Sequence, residues 1–377
     1  MKKIKILHVI SSLEMGGAEI TLSKLLLHRD ASFEEGVVVL RKIGSIGQQL
    51  QLKGIKIYNL KMRHSYDFIL AYVRLVKILK QERIDILQTW MYHADFMGAL
   101  AKLLYGRFKL IWTICHGDVS MSPLKRKTYF IAKICGHFSD RWPDKIICCS
   151  EATKKSHMKF GYAANKMCVV PNGFDVSLFK IDKAAGEKIR AELGLSDDHF
   201  IIGHAGRFHP VKDHFTFIQT AALVARQYKN VRFICCGTNI DWDNVELKAW
   251  IDKEGIRGFF CLLGERFDMP EIFNACDLFV SSSIVEGFSN VIGEAMACGL
   301  ICVATDNGNA KALINNPSLI VPVKNAKLLA DAILYVLNKS TGQRCLLGEK
   351  NREQIVTLYS VAEMVVQYEQ LYVGLVN

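Results

Sequence analysis

The sequence predicts two doubly wound, Rossmann-like α/β domains in succession. Three observations carry that expectation. The chain has 377 residues, more than one ordinary core holds. Short, nearly unbroken apolar runs alternate with longer amphipathic ones. The alternation restarts after a turn-rich stretch near residue 175. Continuous apolar strands set between amphipathic helices require a parallel sheet covered on both faces. In the first half, strands are expected at Ile4–Ile10, Gly36–Leu40, Ile55–Leu60, Ile84–Thr89, Phe108–Cys115 and Lys145–Cys149. Helical patterns lie between them, near Ala18–His28, Tyr66–Gln81, Ala94–Tyr105, Leu124–Phe138 and Ala152–Phe160. The stretch Val169–Asp175 is rich in turn formers and marks the joint. A charged helical piece follows near Ala184–Leu193. Strands then recur at Phe200–His204, Val231–Cys236, Gly258–Leu263, Leu278–Ser281 and Leu300–Ala304. Their helices fall near His214–Gln227, Asn244–Lys253, Asn290–Ala297 and Ala326–Leu337. Domains are thus expected over 1–175 and 176–355. A C-terminal helix over 356–377 either stays with the second or crosses back to the first.

Charge divides along the same boundary. Through Asp175 there are 28 lysines and arginines against 14 acids; beyond it 20 stand against 23, so the net +11 arises in the first half. A basic half suits nucleic acid, an anionic membrane surface or an acidic substrate. Here the cations are scattered through apolar segments instead of forming a stripe with interleaved aromatics, which disfavours nucleic acid. Lys125, Arg126, Lys127 and Lys133 surround Tyr129, Phe130, Ile131 and Ile134. That pattern fits either an amphipathic helix lying on anionic lipid or a solvated surface helix. Twelve cysteines lie mostly in apolar runs, with no CxxC pair and no zinc-ligand spacing, and are read as free thiols of a reducing cytosol. The apolar run after the N-terminal lysines ends at Ser11-Ser12, as a strand does and a signal peptide does not. No apolar stretch is long enough to span a bilayer. The expected location is cytoplasmic, at most peripheral on the inner face of the membrane.

Ligands of doubly wound sheets bind beyond the carboxyl ends of the strands. Three clusters stand there. Glu286-Gly287-Phe288-Ser289-Asn290-Val291 leads into a helix carrying Glu294 and stopped by Gly299. Ser289 is the expected N-cap, and the amides of Ser289, Asn290 and Val291 are expected to form a diphosphate site. Glu286 and Glu294 would then hold sugar hydroxyls on either side. The competing reading is a capped helix with Glu294 in solvent. In the second cluster, Arg207 and Lys212 flank a loop broken by Pro210, which suits either a pyrophosphate leaving group or a solvated basic loop. The third is Gly16-Gly17, whose missing side chains admit a phosphate or sugar close to the backbone.

Together these clusters resemble the retaining glycosyltransferases of family four, over essentially the whole chain. Glu286 and Glu294 match that family's signature pair, Arg207 and Lys212 its diphosphate-binding pair, and Gly16-Gly17 its first glycine loop. Ser150-Glu151-Ala152, His157, Gly161-Tyr162 and Pro171-Asn172-Gly173 resemble its domain junction. The resemblance implies a GT-B fold with the reaction centre in the cleft between the domains. It implies a nucleoside diphosphate sugar donor, taken as UDP-linked, no cofactor and no metal. Under it, Glu286 contacts the donor sugar, Glu294 the ribose, and Arg207 and Lys212 the diphosphate. The segment Leu263-Gly264-Glu265-Arg266 lies against the base, and Phe288 to Val291 line the donor. Two departures stand out. Leu300-Ile301-Cys302 follows Gly299 where a proline is common, and the turn Asp306-Asn307-Gly308-Asn309 is poorer in glycine than usual.

His116 also matches a family histidine between donor and acceptor, and His93 follows the preceding strand; both are expected on the acceptor side. Asp241-Trp242-Asp243 has the form of a metal-binding DxD, but it precedes a helical pattern and is read as a helix start. The expected activity is retaining transfer of a hexosyl or N-acetylhexosaminyl group to a hydroxyl of a glycan or lipid-linked acceptor. In it the leaving phosphate itself accepts the proton. A sugar-nucleotide epimerase on the same fold and a non-catalytic polyanion-binding protein are the alternatives. Expected partners are the nucleotide sugar, the acceptor and an anionic membrane surface, not nucleic acid.

Overall fold

The computed structural model describes residues 3–117, 119 and 124–377. The chain forms two compact units, one of residues 1–173 with 361–377, the other of 174–360. The first runs β1 (Ile4–Ile10), α1 (Gly17–His28), β2 (Phe33–Val39), α2 (Gly44–Leu52), β3 (Lys56–Asn59), α3 (Phe68–Glu82), β4 (Ile86–Trp90), α4 (Tyr92–Tyr105), β5 (Lys109–Ile114), α5 (Arg126–Phe138), β6 (Lys145–Cys148), α6 (Glu151–Phe160) and β7 (Met167–Val169). The second runs α7 (Lys183–Glu192), β8 (Phe200–Ala205), α8 (His214–Gln227), β9 (Val231–Cys236), α9 (Val245–Glu254), β10 (Phe260–Leu262), α10 (Met269–Ala275), β11 (Leu278–Ser281), α11 (Asn290–Ala297), β12 (Ile301–Thr305), α12 (Ala310–Leu313), β13 (Ile320–Val321), α13 (Ala326–Leu337) and α14 (Thr341–Leu358). The last helix, α15 (Val361–Val376), belongs to the first unit.

Both sheets are parallel and share one plan. The first is ordered β3-β2-β1-β4-β5-β6-β7 and the second β10-β9-β8-β11-β12-β13. Strand alternation feeds two cores in the first unit. Leu7, Val9 and Leu87 pack with Ala71, Leu75, Met97 and Ala132 of α3, α4 and α5. Ile6, Ile10 and Trp90 pack on the other face with Leu22, Leu50 and Tyr368 of α1, α2 and α15. Burial of both faces is why the strands read as continuous apolar runs.

Several expectations are corrected in detail. Helix α2 went unforeseen because Gly44, Gly47 and paired glutamines blur its apolar face; it is seated on Leu13. Strand β7 lies partly within the stretch read as the joint, and β13 has two residues, too few to show a period. The C-terminal helix starts at Val361 instead of 356. Its predecessor α14 ends at Leu358, and the break is pinned by the Phe174 amide donating to the Tyr359 carbonyl at 2.7 Å and by a Phe174–Ser360 bridge. Among the described residues no helix is long and apolar enough to cross a membrane.

Candidate active site

In the second unit the strand order reverses between β8 and β11, and ligands of doubly wound sheets bind beyond the carboxyl ends of the strands at such a point. The loop after β8 carries Arg207 and Lys212; the loop after β11 carries Glu286. Across the reversal point Lys212 Nζ donates to Glu286 Oε1 at 2.5 Å, with side chains only 19 % and 16 % exposed. A pair so shielded leaves a costly uncompensated charge if either partner is removed. The backbone is stitched across the same line. Ser282 Oγ donates to the Lys212 carbonyl at 2.8 Å and the Ile284 amide to the Val211 carbonyl at 2.8 Å.

Glycines bring three loops together. The Gly206 amide donates to Cys236 O, the Gly237 amide to Gly264 O, and the Leu263 amide to Cys235 O, each within 2.9 Å. A Cβ at Gly237, where φ is +143°, would lie 2.3 Å from the Gly206 carbonyl oxygen, so only glycine fits there. Arg207 is exposed at the rim, and Leu263 is half-buried beside it through this stack. Arg266 is engaged elsewhere, in a two-point pair with Asp268 and a third contact to Glu192.

The Glu286–Glu294 segment is corrected in two respects. Ser289 holds the N-cap position of α11 without a side-chain cap; its hydroxyl accepts from Asn307 Nδ2 at 3.2 Å. Its amide donates to Asn309 Oδ1 at 3.3 Å, and the Asn290 amide donates to the Phe288 carbonyl at 3.0 Å. Two of the three amides expected to meet a phosphate are therefore already bonded. Asn307 also accepts the amides of Asn309 and Ala310, and both asparagines are buried. The turn noted for its scarcity of glycine is thus the brace of the Glu286 loop, whose amide donates to the Asn307 carbonyl at 3.1 Å. The Phe288 ring is buried against Phe174 and Tyr359 and offers a ligand only its backbone. Val291, Asn290 and Glu294 are half-exposed along α11. Gly293 is required by packing, since a Cβ there would lie 2.0 Å from the Phe174 ring, and Gly299, at φ +81°, ends the helix.

In the first unit the corresponding reversal lies between β1 and β4. Gly16 and Gly17 follow β1 and open α1. Glu19 folds back so closely that a Cβ on Gly16 would lie 2.3 Å from its Oε2, and burial pushes its carboxyl above the ordinary value. His93 stands in the first turn of α4. Burial, and secondarily the Arg41 charge, lower its pKa, so it is a neutral imidazole at pH 7. His116, after β5, is half-buried and meets the Tyr92 ring edge-on at 6.3 Å. Asp118, beside it in sequence, lies outside the described residues.

Other expected features have structural places. Ser150 caps α6 by accepting from the Thr153 amide at 3.1 Å. His157 is buried between the Tyr92 hydroxyl at 2.7 Å and the Thr153 carbonyl at 2.8 Å. Asp241 accepts the amides of Asp243 and Asn244, and Asn244 caps α9, so the DxD is a turn into a helix. All twelve cysteines are free thiols, eight of them buried, and burial raises Cys236 and Cys298 to about 12. The feature missed altogether is a buried pair, His204 and His214, under the Arg207 loop. A histidine inside the otherwise apolar strand Phe200–Ala205 was its only signal.

Residues 15–178 match the family model Glycosyltransferase Family 4, and residues 186–357 match Glycosyl transferases group 1. The Escherichia coli UDP-Gal:alpha-D-GlcNAc-diphosphoundecaprenol alpha-1,3-galactosyltransferase is 24% identical over 309 residues, 81% of this chain and 79% of that one. The Campylobacter jejuni N,N'-diacetylbacillosaminyl-diphospho-undecaprenol alpha-1,3-N-acetylgalactosaminyltransferase is 24% identical over 342 residues, 86% and 87% of the two chains. Among solved structures, Anabaena HepE in complex with UDP has the same fold, with a TM-score of 0.86 at 24% identity over 98% of this chain and 100% of that one. One family model falls on each unit, and the shared fold runs through both: the chain belongs to the family four glycosyltransferases and is a GT-B glycosyltransferase.

Proposed function

We propose that the protein moves a sugar from a UDP-sugar to a hydroxyl of a lipid-linked glycan, with retention at the anomeric carbon and without a metal ion. The observation that carries this is the Lys212–Glu286 pair at the reversal point of the second sheet. Lys212 and Arg207 offer cationic charge to a diphosphate, and Glu286 is set beside them where the attached sugar would lie. Arrival of the diphosphate gives Lys212 a second anionic partner and turns Glu286 towards the sugar hydroxyls. The acceptor oxygen bonds to the anomeric carbon as the bond to the β-phosphate oxygen breaks. That departing oxygen takes the acceptor's proton on the same face, and the cations stabilise the charge that develops on it. His93 and His116 face the acceptor, the neutral His93 as a hydrogen-bond partner and not as a charge. The UDP bound to the Anabaena structure supports the nucleotide, and the diphosphoundecaprenol named for the Escherichia coli relative supports the lipid-linked acceptor.

A membrane surface as the place of work is supported by the outer face of the first unit. Tyr66 is exposed just before α3, Ile69, Leu70 and Val73 along it and Phe130 along α5, with Lys77, Lys80, Arg126 and Lys127 exposed on the same two helices. Apolar side chains ringed by cations suit shallow insertion into anionic lipid.

The test begins with a thermal-shift screen of nucleotide sugars, because a ligand of the native state raises its melting temperature. UDP-sugars are expected to stabilise the protein and uridine alone to do so weakly. With the donor so found, NMR of the product fixes the anomeric configuration, and an inverted product overturns retention. Turnover is expected to persist in excess EDTA; loss restored by magnesium or manganese overturns the metal-free mechanism.

A further inference from the structure

Beneath the Arg207–Lys212 loop, four elements are joined by two imidazoles. His204, at the end of β8, places Nδ1 2.9 Å from the Val280 carbonyl of β11. Its Nε2 lies 3.2 Å from Nδ1 of His214, the first residue of α8. His214 Nε2 in turn lies 3.1 Å from the Arg207 carbonyl. Both rings are buried, His204 stacked on Phe217 at 4.1 Å and His214 on Phe208 at 5.5 Å.

Counting protons exposes a deficit. Carbonyl oxygens only accept, so the His204 hydrogen must sit on Nδ1, leaving Nε2 as an acceptor. His214 then needs a hydrogen on each nitrogen, one for His204 and one for Arg207. A neutral imidazole has one. Two neutral rings therefore satisfy two of three contacts, and a third proton satisfies all three. Burial, with the nearby Lys212 charge, lowers the pKa of His214, and that of His204 is pushed down to about 3. The unliganded pair is thus neutral near pH 7. The ionisable groups around His214 are His204 from β8, Arg207 and Lys212 from the loop, Asp213 at the start of its own helix, and Glu286 through its pair with Lys212. Asp213 is already committed to the amide and hydroxyl of Thr216.

We propose that binding of a diphosphate to the Arg207–Lys212 loop draws a third proton from solvent onto His214, and that the imidazolium so formed holds the Arg207 carbonyl and fixes the loop in its loaded position. The inference rests on the donor site proposed above. Burial is the main reason His214 is uncharged; the Lys212 charge adds to it, and an incoming diphosphate offsets that charge and so favours the protonated ring, whose new hydrogen the Arg207 carbonyl accepts. His214 is then a positioning residue acting through Arg207.

UDP-glucose is the suitable probe, because both its phosphates are esterified and keep a constant charge between pH 6 and pH 8. Titration calorimetry in buffers of different ionisation enthalpy is expected to show net proton uptake on binding, with affinity rising as pH falls from 8 to 6. His214→Gln, whose amide can donate to Arg207 and accept elsewhere without titrating, is expected to bind with no uptake and a flat pH profile. His209→Asn, in the same loop, is expected to keep the uptake. Binding without uptake in the wild type, or unchanged uptake in His214→Gln, overturns the inference while leaving the donor site standing. Failure of both UDP-glucose and UDP to bind overturns the donor site and this inference with it.

Discussion

β8 and β11 occupy the same positions in the second sheet as β1 and β4 in the first, yet the loops beyond them are built differently. In the second unit a shielded ion pair spans the reversal point, three loops are locked glycine to backbone, and two buried asparagines brace the carboxylate loop. In the first, Gly16 lies under the unit's own Glu19, and burial keeps the His93 imidazole neutral. Charges held in advance suit a polyanion, whose binding then costs little reorganisation. A glycine beside a half-buried carboxyl, with a neutral imidazole after β4, suits hydroxyl groups. One sheet plan thus serves two ligand chemistries through its loops alone.

That contrast is sharpest in turnover. Lys212→Ala and Glu286→Gln are each expected to lower the rate of transfer by about a hundredfold or more, the scale of losing one key transition-state contact. His93→Ala should lose less than either. A steady-state assay in which His93→Ala is the worst of the three breaks the comparison. Rigidity should differ next. Gly237→Ala and Gly293→Ala push a methyl into a carbonyl or a buried ring, and denaturant unfolding should register a loss of about 1–3 kcal/mol for each. Gly16→Ala meets only the end of the Glu19 side chain, which can swing away, and should cost less. Equal losses at all three would remove the distinction between a locked and an adaptable crevice.

Acid should then act on the second unit through His204. Its native pKa lies near 3, below the unfolded value of 6.5, so the unfolded chain binds the extra proton in between. Stability is therefore full above pH 6.5 and declines as pH falls towards 3, by about 1.4 kcal/mol per pH unit from this group. His204→Gln should flatten that decline, and an unaltered slope would discount the residue. The last test concerns the first unit's surface. Changing Lys125, Arg126 and Lys127 to Glu should weaken sedimentation with anionic liposomes, each cation being worth about 1 kcal/mol. Binding that is unchanged, or equal on neutral liposomes, would leave the exposed face of α3 and α5 without a lipid partner.

The sequence was most legible where apolar runs were long. β1, β9 and β11 begin and end where the runs do. It was least legible where the determinants are non-local. Nothing in Ser289-Asn290 says that one amide is claimed by Asn309, 20 residues on, or that Asn307 takes the hydroxyl. Positions beyond strands were foreseeable because connectivity fixes them; which donors are already spent there depends on side chains arriving from other loops. His204 and His214 illustrate the limit, since neither residue suggests a shared proton until the fold sets their nitrogens 3.2 Å apart.

Helix α15 has a consequence for how the protein is made. Its Tyr368 and Tyr372 complete a core begun by β1 and α1, with the Tyr372 hydroxyl donating to Gln88 at 2.5 Å and Tyr368 stacked on Trp90. All of residues 174–360 are synthesised between those two parts of one unit. At the usual pace of translation that interval is roughly ten to forty seconds. Throughout it, one face of the first sheet lacks part of its cover, and the second unit has its whole sequence before α15 begins to emerge. The half of the chain that leaves the ribosome first is therefore the last to be finished, and the growing polypeptide must keep that apolar face from straying until its final helix emerges.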